Sequence, residues 1–203
     1  MAISLVSVGQ KWTATIANAL IAAVNGVGAS RVTATSVAGS GVSLSGSTVV
    51  ASAASAISVN GSFSSSYTVY DVVYNLTSSG AAGLSFTMRL SGTDAATNYD
   101  RQFTRGLNAT NTTVQAVAQT SWALNLTSVT GIHVGKIRLF NPFVAVGTTG
   151  LLEAGTTATT MTAADGAIYQ AMLLHRTATA YDGFTITAST GTLSGTINII
   201  GIA

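Results

Sequence analysis

Residues 84–91 read LSFTMRLS. Leu84, Phe86, Met88 and Leu90 alternate with Ser85, Thr87, Arg89 and Ser91, which is the pattern of a strand with one face in a core and the other toward water. The chain's last residues, GTLSGTINIIGIA (191–203), set Ile197 and Ile199 on one face and Ile200 and Ile202 on the other. Further strands are predicted at 48–59, 67–77, 98–105, 112–124, 130–140, 167–175 and 183–189. Gly135 shifts the alternation between Ile132/Val134 and Ile137/Leu139, which predicts a bulge or bend there. Turn sequences such as SSGAAG, SGTD and ASTGT separate the runs. Many short strands with no helical pattern between them indicate an antiparallel β-sandwich or a barrel.

The run at 67–77 is apolar on both faces. Val69 and Val73 share a face with Asp71, and Tyr70, Val72, Tyr74 and Leu76 form the other. One face fills a core; the second is a candidate subunit interface. An apolar ring with a polar tip suits a partly wet boundary, which favours Tyr70, Val72 and Tyr74 for that interface. The competing reading has the tyrosines covering a loop of their own chain.

Before residue 31 the period is different. In KWTATIANALIAAVNG (11–26), Trp12, Ile16, Leu20, Ala23 and Val27 recur at helical spacing. Thr13 or Thr15 can cap the start, and Asn25-Gly26 is a left-handed stop. A helix of about four turns is marginal alone in water, so its stripe must pack on something. That something is either its own domain or the same helix of sister copies, with Trp12, Ile16, Leu20 and Val24 as candidate contacts. Residues 1–30 therefore read as a helical anchor or oligomerisation segment, and 31–203 as the β-sandwich domain.

Hydrophobic residues make up 47% of the 203 and charged residues only 7%, against roughly 25% charged in ordinary domains. Serine and threonine supply the polarity. Little charge remains to keep identical copies apart, which suits a packing unit of an assembly. The net charge of +2 comes from eight basic residues spread along the chain, with Arg101 and Arg105 the nearest to a cluster. These cannot neutralise many phosphates, so nucleic acid is not an expected partner. Cysteine is absent, which removes disulfides and thiolate metal sites. The start, MAISLVSVGQKW, lacks the form of a signal peptide, and no apolar run reaches the length of a membrane helix. Folding in a cytoplasm without membrane insertion is the expectation.

The search for chemistry returns little. His133 and His175 each stand in a strand context without a second ligand at useful spacing, so each reads as a hydrogen-bonded or surface histidine. Asp94, Asn98 and Asp100 superficially suggest a calcium loop, but the spacing is wrong and no bidentate Glu follows. No nucleophile elbow, phosphate loop or dinucleotide fingerprint occurs. Asn60, Asn75, Asn108, Asn111 and Asn125 match the Asn-x-Ser/Thr pattern, as chance allows in a chain this rich in Ser and Thr. No enzyme, cofactor or metal is expected.

Taken in order, SVNGSFSSSYTVYDVVYNL (58–76), FTMRLSGTDAATNYDRQ (86–102), TSWAL (120–124), IRLFNPF (137–143), ATAYDGFTITAS (178–189) and GTLSGTINIIGI (191–202) resemble a domain recurrent in virion proteins of tailed bacteriophages. Minor tail, fibre and receptor-binding proteins, particularly of actinobacterial phages, carry such domains. The opening KWTATIANALIAAVNGVG is similar to the helical lead-in that precedes it there. The resemblance implies a jelly-roll-like β-sandwich behind one short N-terminal α-helix, in a virion assembled in a bacterial cytoplasm, as a homotrimer among other virion proteins. It implies a fibre, spike or tail-tip role in host adhesion, or else an architectural capsid decoration. Adhesion would have a host-surface glycan as ligand, with Tyr99, Tyr169 or Tyr181 stacking on sugar rings. The resemblance identifies no ligand residues by itself.

Overall fold

The computed structural model describes residues 28–107, 110–125, 128–158 and 166–203. Among them there is no helix. The strands are β1 (Ala29–Val32), β2 (Ser36–Ala38), β3 (Val42–Ser45), β4 (Thr48–Ala54), β5 (Ala56–Asn60), β6 (Val69–Ser78), β7 (Leu84–Leu90) and β8 (Thr93–Asp94). They continue with β9 (Tyr99–Leu107), β10 (Thr110–Gln119), β11 (Trp122–Ala123), β12 (Gly131–Phe140), β13 (Thr148–Ala158), β14 (Gly166–His175), β15 (Gly183–Ala188) and β16 (Leu193–Ile202). The predicted N-terminal helix, with Trp12, Ile16, Leu20 and Val24, lies outside the described residues.

Two antiparallel sheets hold these strands. The longer runs β10-β9-β14-β13-β12-β6-β16-β4-β3, with β1 beside β16; the shorter runs β11-β7-β15-β5-β2, with β8 beside β7. Within them, β4-β16-β6-β12 opposes β5-β15-β7-β11, and the chain visits these strands in the order of a jelly roll. Two insertions complete the picture. The hairpin β9–β10 follows β7, and β13–β14 follows β12. They pair with each other through β14 and β9, extending the longer sheet by four strands beyond β12.

The expected strand at 48–59 is two strands that part at Ser55 and enter different sheets. Ala53, at φ 53°, marks the irregular step in the β4–β16 register where the turn toward the second sheet begins. The run at 112–124 likewise divides into β10 and β11. No bulge occurs at Gly135: β12 keeps continuous register with both β6 and β13. The alternation shifts for a different reason. Gly131, His133, Gly135, Ile137 and Leu139 all face inward, so the apolar Ile132 and Val134 point out. Gly135 is required there because a Cβ would stand 2.4 Å from the Tyr74 hydroxyl and 2.9 Å from the Glu153 carbonyl.

The core lies between the sheets. Tyr70, Val72, Tyr74 and Leu76 of β6, with Ile197 and Ile199 of β16, meet Ile57 and Val59, Leu84, Phe86 and Met88, and Phe184 and Ile186. Rings run through it in contact: Tyr70, Phe63, Phe184, Phe86, Trp122, Tyr99, His175 and Tyr181, with centroids 4.3–5.9 Å apart. Offset and edge-on pairs of this kind add about 0.5–1.5 kcal/mol each beyond the area they bury. Two of the rings carry polar atoms that tie the core to its surroundings. Trp122 Nε1 donates to the carbonyls of Asp100 and Leu174 at 3.1 and 3.2 Å, tying β11 to the first insertion and to the end of β14. Tyr99 Oη accepts from the Met88 amide at 2.8 Å and donates to the Ala95 carbonyl at 3.0 Å.

Candidate interaction surface

The outer faces of the two sheets differ in chemistry. On the shorter sheet, Arg89 Nη1 meets Asp94 Oδ1 at 2.5 Å and Arg89 Nε donates to Asn60 Oδ1 at 2.7 Å. Thr185 Oγ1 donates to the same carboxylate at 2.7 Å, with Ser58 Oγ 3.1 Å away. That face is polar and internally bonded. On the extended part of the longer sheet, Ile168 is 71% and Met172 65% exposed, joined by Ile132, Val134, Leu151 and Leu174 at 38–43%. The strands that build it are apolar on both sides. In β14 the inward set Ala167, Tyr169, Ala171, Leu173 and His175 fills the core and leaves Ile168, Met172 and Leu174 outside.

Register arranges this face into shallow hollows. Gly155 stands between Val134 and Ile168 on neighbouring strands and floors a hollow of about 300 Å³ walled by Ile132, Val134 and Ile168. A second, of about 420 Å³, is lined by Gln102, Thr104, Leu151, Glu153, Gln170 and Met172. Thr104, Gln170, Glu153 and Lys136 lie side by side across four strands, and Lys136 Nζ pairs with Glu153 Oε2 at 2.9 Å. Such a surface offers apolar contact with amide and hydroxyl hydrogen bonds at its rim, the composition of a protein-binding face.

The other polar constellations are internal. Ser78, His133 and Asn125 line up in the order of a nucleophile, base and orienter, with Ser78 Oγ 3.0 Å from His133 Nε2 and Asn125 Nδ2 3.5 Å from Nδ1. The polarity of the line is reversed, however. Asn125 Oδ1 accepts from the Leu84 amide at 2.6 Å, so its NH2 is what faces Nδ1. An NH2 beside Nδ1 is not the acceptor that orients a catalytic base, and the Ser78 hydroxyl donates to the Val129 carbonyl at 3.0 Å. All three residues are 5% exposed or less. The cluster is a buried polar knot joining β6, β12 and the segment between β11 and β12. It also removes Asn125 as a glycan acceptor. His175 accepts from the Thr177 amide at Nδ1 (3.3 Å) amid Tyr99, Trp122 and Tyr181. Burial holds both imidazoles below their usual range, near 6.5.

Asp94, Asn98 and Asp100 are spoken for separately. Asp94 is held by Arg89 and Thr185, Asn98 donates to Thr177 Oγ1, and Asp100 accepts from the Ala118 amide and pairs with Arg176. Among the described residues no three His, Cys, Asp or Glu side chains gather as a metal ion requires. Arg101 and Arg105 flank Phe103 on the inward face of β9, with Arg101 over the Phe103 ring at 5.7 Å.

Two expectations about sites are corrected. Tyr70, Val72 and Tyr74 are 0, 0 and 3% exposed and face the second sheet, so that side of β6 is core and not a subunit interface. The opposite side, with Val69, Asp71 and Val73, is the outer one. Tyr99, Tyr169 and Tyr181 are 3% exposed or less and cannot stack on a sugar. Sequence reasoning missed the surface formed by Ile132, Val134, Ile168 and Met172. The signal present was a strand apolar on both faces at 167–175, and it did not say which face is covered. No protein-family model, curated protein or solved structure matches this chain.

Proposed function

We propose that the chain is a structural subunit of a tailed-phage particle, a trimeric fibre, spike or tail-tip component that presents its sandwich for host-surface adhesion. The observation that carries the assembly half of this reading is the apolar outer face of the extended sheet, centred on Ile168 and Met172, on a chain with 7% charged residues. Monomeric proteins rarely leave such a patch uncovered. The resemblance in the order of sequence segments, together with the jelly-roll strand order, supports the virion half. Packing of three copies through this face leaves the polar outer side of the shorter sheet and the loops toward solvent. Adhesion then works by several weak sites on one rigid oligomer acting together.

Labelling of particles with an antibody to this protein, viewed by negative-stain microscopy, tests the reading. Label at the tail tip or fibres, at a handful to a few dozen copies per particle, is the expected result. Label over the whole shell at hundreds of copies would replace it with a capsid-decoration role, and no label on particles would remove the virion assignment.

A further inference from the structure

A β-sheet edge presents unpaired N–H and C=O groups, and proteins protect such edges by keeping them short, charging them or breaking them with proline. Five of the edge strands here obey the first rule: β1 and β3 have four residues each, β2 three, and β8 and β11 two each. β10 does not. It is ten residues long, TNTTVQAVAQ, with no charge and no proline, and it pairs only with β9. Its other side is paired by nothing among the described residues. Asn111, Thr113, Gln115 and Val117 are exposed along it, Val117 to 56%. The irregular step between Ala116 and Gln119, fixed by Asp100 Oδ1 accepting from the Ala118 amide at 2.7 Å, ends the flat stretch at one side.

We propose that this edge is an interface, and that it takes β10 of a second copy, antiparallel, so that the two long sheets become one. Antiparallel self-pairing sets positions equally far from its centre opposite each other, so like charges on the two sides of that centre would face and repel one another. An uncharged strand is the composition that tolerates this. The nearest charges, Arg101 and Arg105, lie one strand inward on β9, roughly 14 Å from their images at about 4.8 Å per strand, beyond the screening length of about 8 Å at physiological salt. A charged peptide would find nothing on β10 to read. This two-fold contact is independent of the virion role and leaves the Ile168–Met172 face free.

The natural chain has no cysteine, so introduced cysteines report the contact cleanly. The double variant T113C/Q115C, whose cysteines at exposed positions face each other across a pairing centred on Val114, should form inter-chain disulfides under mild oxidation, since paired strands bring opposed Cα atoms within disulfide range. The matching double variant S43C/S45C on the short edge β3, equally exposed, serves as the control and should not. In light scattering, the double variant T113K/Q115K should raise the dimer dissociation constant at least about ten-fold. T113K/Q115E, whose opposite charges face each other in a pairing centred on Val114, should restore association. Equal cross-linking at β3 and β10 would overturn the proposal, as would an oligomer indifferent to T113K/Q115K. A monomer at all concentrations whose β10 amides resist hydrogen exchange would assign the edge to the same chain and overturn it also.

Discussion

Arg138 Nε and Nη2 meet Asp71 Oδ1 and Oδ2 at 2.7 Å each, a two-pronged pair across adjacent strands on the outer face of the longer sheet. The acid that interrupts the apolar run of β6 is thereby explained. Its side chain is 10% exposed while the arginine's is 38%, so the carboxylate depends on the guanidinium for most of what water would supply. Arg138→Met strands a covered carboxylate and should cost about 1–3 kcal/mol in urea unfolding, discounted from a fully buried pair because the arginine is partly wet. Asp71→Asn with Arg138→Gln should cost less than Arg138→Met alone. A larger loss in the double variant would show that packing, not charge, holds the site.

Trp122 joins the two sheets at the point where the insertion departs. Trp122→Ala should destabilise by about 3–5 kcal/mol, the range for a buried aromatic. Trp122→Phe keeps the ring contacts with Tyr99 and Phe86 but abandons the carbonyls of Asp100 and Leu174, and should cost about 1–3 kcal/mol. Thermal and urea unfolding of the three proteins would check the order.

Gly135→Ala forces a methyl group against the Tyr74 ring, with Cζ only 2.6 Å away. We expect a loss of about 1–3 kcal/mol, the cost of overfilling a packed site. Tyr74→Leu in the same chain should return part of it, so the double variant is less destabilised than the sum of the singles. Strict additivity would mean that the methyl meets backbone instead.

Stability should depend on pH between about 7 and 5, through the two buried histidines. Both have folded-state values below 6.5, because burial disfavours the charged ring. Above 6.5 both are neutral in folded and unfolded chains and nothing is lost. As pH falls through 6.5 the unfolded chain takes up protons that the folded one resists, and stability declines until the depressed folded values are passed. His175→Phe, which suits the aromatic surroundings, should flatten part of the slope in urea unfolding at pH 7.5, 6 and 5. An unchanged slope would place the effect on His133.

Substitution on the outer face separates assembly from folding. Ile168→Lys and Met172→Lys change positions 71% and 65% exposed, so melting temperature should hardly move. Light scattering should show lower mass for these variants than for the natural chain if that face packs on sister copies. Unchanged mass would remove the face from the interface.

Period-two alternation at 84–90, 130–140 and 193–202 was enough to establish an all-β chain, because side chains on a strand can only point two ways. Absent cysteine and scarce charge were equally plain. Alternation does not say which side is covered. In β6, β12 and β14 both sides are apolar, and only the position of the second sheet makes Tyr70 core and Ile168 surface. β13, TTGLLEAGTTA, escaped notice because its glycines and threonines carry no pattern; it is a strand because β12 and β14 pair with it on both sides. The break at Ser55 and the long edge of β10, unpaired among the described residues, also belong to the tertiary structure. Both follow from which strands lie next to each other, a relation among distant residues that no local stretch contains.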